Sequence, residues 1–109
     1  MDSNNLSKAE IEALLKGAEE DYGNSEYESA LKKCIQIEKE DTSGCSLYRM
    51  GMLHFMGEGV ERDEMKGLEF LKRAFPLLTQ SMIQDSFPLS MANLGFMYSE
   101  GIGVEKDTQ

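Results

Sequence analysis

Two stretches of the chain spell the same motif 44 residues apart, and that repetition limits the fold more than any other feature. Gly51 pairs with Gly95, Gly57 with Gly101, Gly59 with Gly103, Val60 with Val104 and Asp63 with Asp107. Each residue type has a physical task in a helical hairpin. A glycine inside a helix, as at Gly51 and Gly95, costs about 1 kcal/mol against alanine, and its return is close approach of a neighbouring helix. Gly57 and Gly59 fall just past a helix end, where positive φ reverses the chain quickly. Val60 and Val104 are then expected to turn inward and seal the hairpin, and Asp63 and Asp107 to cap the returning helix.

The rest of the chain reads as helix. Ser7 and Glu10 have the spacing of a capping box, followed by Ile11, Leu14, Leu15 and Ala18 on one face, with Gly23-Asn24 as the stop. Ser25 and Glu28 form a second such box ahead of Tyr27, Ala30, Leu31, Cys34 and Ile37. The break at Asp41-Thr42-Ser43-Gly44 precedes a third helix from Cys45, with Leu47, Met50, Gly51 and Leu53 facing inward. Asp63 opens a fourth helix with Met65, Leu68, Leu71 and Phe75 on its inner face, and Pro76 is expected to interrupt it. Leu77 to Ile83 read equally as an extra turn or a packed loop. Ser86 and Pro88 open a last helix bearing Met91, Leu94, Gly95, Met97 and Tyr98. No segment alternates like a half-buried strand, so the fold class is all-α.

The motif resembles the Sel-one-like repeat, a relative of the tetratricopeptide repeat. Leu94-Gly95-Phe96-Met97-Tyr98 and Gly101 to Asp107 carry the likeness most closely, and Met50 to Asp63 nearly as well. In the second helix of the first copy, Leu68, Leu71 and Ala74 fit, with Gly67 in place of the usual alanine. The resemblance implies a right-handed helix-turn-helix solenoid, an α/α superhelix. The expected organisation is a disordered segment at 1–5, a tetratricopeptide-like hairpin at 6–40, a first repeat at 45–75, a linker or inserted turn at 76–88 and an incomplete second repeat at 89–109. Met91, Leu94, Met97 and Tyr98 are expected to lack a covering helix, and to be covered by downstream residues, a second copy or the linker folding back.

The same resemblance implies a protein-binding adaptor or scaffold that holds a partner peptide or helix on its concave wall, with Tyr48, Met52, Phe55 and Phe96 as the contact residues. An excess of 20 acidic over 11 basic residues, net −9, repels nucleic acid and anionic membranes and favours a basic partner. No segment holds the roughly 20 continuous apolar residues of a membrane span. The N-terminus does not read as a secretory signal, and a reducing cytoplasmic setting is expected.

No catalytic, cofactor or metal site is expected. His54, the single histidine, has no second histidine or nucleophile at suitable spacing and reads as a partly buried helix residue. Glu38, Glu40 and Asp41 lack calcium-loop spacing and read as a solvated helix end. The Gly-x-Gly here follows no strand and cradles no phosphate. Cys34 and Cys45 read first as buried thiols. Secreted cysteine-rich members of the resembled family bridge successive helices, which leaves a secreted, cysteine-bridged repeat protein that binds or modifies cell-wall fragments as the alternative; a fragment of a larger regulatory protein is the third.

Overall fold

The computed structural model describes residues 6–104, which form α1 (Lys8–Gly23), α2 (Tyr27–Ile37), α3 (Cys45–Met56), α4 (Glu64–Asp85) and α5 (Pro88–Glu100), with no strand among them. The expectations for residues 1–5 and for Asp107 lie outside this range. The capping box of α1 is formed: Glu10 N donates to Ser7 Oγ at 3.1 Å, and Ser7 N to Glu10 Oε1 at 2.8 Å. The second box is not. Asn24, Ser25 and Glu26 turn their amides back onto the carbonyls of Glu20, Asp21 and Tyr22. That reversal forces Ser25 to φ 62°, so its hydroxyl no longer faces the first amides of α2, and Glu26 becomes an N-cap without a side-chain bond.

α3 is the hub. Every residue from Cys45 to Leu53 is buried, the pattern of a helix surrounded on all sides. One apolar core joins Leu15 of α1, Ile37 of α2, Tyr48 and Met52 of α3, Leu71 and Leu78 of α4, and Leu94 and Met97 of α5. A smaller cluster of Ala18, Cys34 and Met50 closes the seam between the first hairpin and α3. The same seam carries one ion pair: Arg49 donates from Nε and Nη2 to the two Glu19 oxygens at 2.9 and 2.8 Å. Its guanidinium lies 3.9 Å from the Tyr22 ring centroid, a planar group satisfied at its edge and stacked on its face.

The helix crossing expected at Gly51 is present and uses two glycines. A Cβ at Gly51 would stand 2.8 Å from Leu71 Cγ and 2.9 Å from the Gly67 carbonyl, and one at Gly67 would stand 2.7 Å from the Gly51 carbonyl. Backbone meets backbone here. Asp63 caps α4 by accepting from Lys66 N at 3.1 Å. Met65, placed inward by the sequence pattern, is 75% exposed, because the first turn of α4 precedes the Gly67 crossing.

The structure corrects the reading of Pro76. α4 runs through it to Asp85, so residues 76–85 are helix rather than linker. Proline sacrifices one helical hydrogen bond, but the turns beyond it bury Leu78 and Ser81. Ser81 Oγ donates to the Ser43 carbonyl at 2.9 Å and lies 2.6 Å from Ser90 Oγ. Having one hydrogen, Ser81 then accepts from Ser90. This buried link ties the end of α4 and the start of α5 to the start of α3. Ser86 at φ 50° ends α4 rather than opening α5, and Pro88 occupies the first turn of α5 as expected.

Candidate protein-binding surfaces

Of the four residues expected to grip a partner, the structure removes two. Tyr48 and Met52 are each 4% exposed, sealed in the core because α3 is covered on both flanks. Phe55 is half-buried, its Cβ 2.8 Å from the Cβ position of Gly67 at the helix crossing. Only Phe96, 41% exposed, stands in solvent. The four do not form one surface.

Two other surfaces do. The first is α5. Leu94 and Met97 are buried in the core they share with Leu71 and Leu78 of α4, while Met91 is 52% and Tyr98 40% exposed. Of the coverings expected for the four, the segment read as a linker supplies part, as the end of α4. Met91, Gly95 and Tyr98 follow the three- and four-residue steps of one helix face. Among the described residues a Cβ at Gly95 would meet nothing within 4 Å, although its counterpart Gly51 is sealed by α4. Tyr98 makes an edge-on contact with Phe75 of α4, ring centroids 5.8 Å apart, and Ile83 on the same helix is also exposed. The open face of α5 therefore sits beside an apolar flank of α4.

The second is a cleft of about 350 Å³ among the first turns of α1, the α2–α3 loop and the α4–α5 connection. Ile11, Leu15 and Phe87 contribute apolar surface; Glu12, Glu40, Asp41 and Asp85 contribute carboxylates against the single ammonium of Lys8. Two of the carboxylates are fixed. Glu40 accepts the Leu6 amide on both oxygens, at 3.2 and 3.1 Å. Asp41 accepts from Ser43 N and Ser46 N, each at 2.9 Å, capping α3. The acidic run read as a solvated helix end is thus partly structural. The signal that pointed to it is the Asp-Thr-Ser sequence immediately before a helix, all three being capping types.

The remaining candidates are built into the fold. Cys34 and Cys45 are free and buried, with no bridge to support the alternative reading. Burial pushes the Cys34 thiol up to about 12 and the Cys45 thiol to about 11, far from the thiolate a reactive cysteine needs. His54 stacks on Phe70 at 5.5 Å, and burial, reinforced by the Lys66 charge, lowers its basicity. Among the described residues no three His, Cys, Asp or Glu side chains gather as a metal site. No described helix is long and apolar enough to cross a membrane.

The two copies of the glycine motif also repeat in three dimensions. Gly57 and Gly101 have φ of 73° and 67°, and Gly59 and Gly103 both have 77°. A family model described as the Sel1 repeat matches residues 46–75 and 88–109. Residues 46–75 and 88–109 are Sel1 repeats. Sel1 repeats are helical, solenoid-like units that generally serve as protein–protein interaction modules and are typically non-catalytic. Comparison with curated proteins and with solved structures gave no match.

Proposed function

We propose that this Sel1-repeat chain is a protein-binding adaptor that holds its partner through α5. The observation that carries the reading is the contrast between equivalent glycines. Gly51 is pressed against the backbone of α4, whereas Gly95 has nothing within 4 Å of its Cβ position among the described residues. The first repeat therefore displays the kind of element that fits this face: a helix with a small residue at the crossing and apolar residues a turn away, as Gly67 and Leu71 provide on α4. Phe96 presents an aromatic ring on the adjoining side of α5, and aromatic residues are favoured anchors at interfaces. The contact wall is thus displaced from Tyr48 and Met52 to the last helix.

The test is affinity capture from a matching cell lysate with the natural chain and a Met91→Glu/Tyr98→Glu variant. Both positions are exposed, so the variant keeps the helical circular dichroism of the parent. The expected result is a partner retained by the natural chain and lost by the variant. Equal retention by both would remove α5 from the binding surface.

A further inference from the structure

We infer that the cleft between α1 and the α4–α5 connection is a second contact site, built for a short basic peptide segment with an apolar anchor. The inference rests on the protein-binding reading above but concerns a different surface. Its volume, about 350 Å³, lies at the lower end of the roughly 300–1,000 Å³ range of ligand pockets. That is room for one or two apolar side chains against Ile11, Leu15 and Phe87. The rim selects charge: carboxylates outnumber ammonium groups four to one among the lining residues. Glu12 and Asp85 have no ion-pair partner among the described residues, so their charges are available to a guest. α4 ends at Asp85, and the carbonyl end of its helix dipole adds negative potential at the same edge.

The site is also prepared in advance. Glu40 is held by the Leu6 amide and Asp41 by the Ser43 amide of the α2–α3 loop and the Ser46 amide in the first turn of α3, so little side-chain ordering remains to oppose binding at these two groups. The net charge of −9 steers a cationic segment toward the chain and a nucleic-acid backbone away. Arginine and lysine side chains at the rim, flanking a leucine on the floor, satisfy both halves of the cleft. An acidic or wholly polar segment satisfies at most one.

Fluorescence polarisation with a labelled Arg-Lys-Leu-Leu-Lys-Arg peptide tests this on the full chain. Two control peptides replace the basic residues by glutamate or the leucines by serine. The expected result is saturable binding of the first peptide alone, weakened about tenfold by Glu12→Lys/Asp85→Lys and by added salt. The variant is chosen to spare the fold, since both positions are exposed and a lysine at the end of α4 suits its dipole; a thermal melt verifies this. Absence of saturable binding, equal binding of the serine peptide, or unchanged affinity in the charge-reversed variant would each overturn the inference. The α5 variant Met91→Glu/Tyr98→Glu is expected to bind the peptide normally. Failure of the cleft therefore leaves capture through α5 intact, and failure of capture leaves the peptide result readable.

Discussion

At the scale of single residues, the same substitution is expected to have opposite signs at Gly51 and Gly95. Both glycines lie inside helices, so alanine at either position gains up to about 1 kcal/mol of helical propensity. At Gly95 nothing among the described residues lies within 4 Å to oppose the added methyl, and Gly95→Ala is expected to raise stability by that amount. At Gly51 the methyl meets Leu71 Cγ at 2.8 Å and the Gly67 carbonyl at 2.9 Å. The carbonyl belongs to backbone and gives way only if the crossing widens, so Gly51→Ala is expected to lose about 1–3 kcal/mol. Urea midpoints of the two variants check this, and shifts in the same direction would mean that the crossing is looser than described. A second residue-level expectation concerns alkali. Burial raises Cys34 from 9.0 to about 12, Cys45 from 9.0 to about 11 and Tyr48 from 10.0 to about 12. The unfolded chain therefore releases these protons first, and stability is full below the unfolded values and falls as pH rises from about 9 toward 12. Denaturant midpoints at successive pH values should decline over that window; a flat response would mean that these groups are wetted.

At the scale of elements, the longest helix shows how far local rules reach. Ser7, Asp63 and Pro88 start their helices as their chemistry requires, and the glycine loops turn where the repeat places them. Pro76 is different, because the reason to continue α4 beyond it is supplied by residues distant in sequence: Ser43 and Ser90 as hydrogen-bond partners of Ser81, and the core around Leu78. Periodicity within residues 77–83 alone holds no record of those partners. The same limit explains Tyr48 and Met52. A single inward stripe on α3 leaves them outside, and only the arrival of helices on both flanks buries them. The α4 extension makes a direct prediction. Leu78→Ala is expected to cost about 2–5 kcal/mol, as for a fully buried leucine, whereas a leucine in an exposed linker would change stability by about 0.5 kcal/mol at most. Pro76→Ala restores a missing amide donor on an exposed position of α4 and is expected to stabilise by about 1–3 kcal/mol. Thermal melts of both variants separate helix from linker.

At the scale of the whole molecule, the sequence divides the chain into a hairpin and a repeat, while the core joins them. The division is legible because the glycine motif begins only after residue 45. The union is not, since it depends on Leu15 and Ile37 of the first hairpin entering the same apolar cluster as Leu71 and Leu94. The stacking carries the repeat spacing back into the hairpin: the Cβ position of Gly59 lies 2.7 Å from Tyr27 Cβ, and that of Gly103 lies 3.1 Å from Leu71 Cβ. Tyr27 and Leu71 are themselves 44 residues apart, so each glycine loop lies over the second helix of the preceding hairpin at a matching place. Such contacts couple neighbours in a solenoid and make them melt together when the interfaces are large relative to the units. The two cysteines report on this directly, Cys34 from α2 and Cys45 from α3, both buried in the native chain. If hairpin and repeat form one cooperative unit, a thiol reagent is expected to label both at the same denaturant concentration, coincident with loss of helical signal. Mass spectrometry of the labelled peptides assigns each site. Labelling of Cys34 at clearly lower denaturant than Cys45 would show that the hairpin opens on its own, and that the Arg49–Glu19 pair and the Ala18–Cys34–Met50 cluster are too weak to bind it to the repeats.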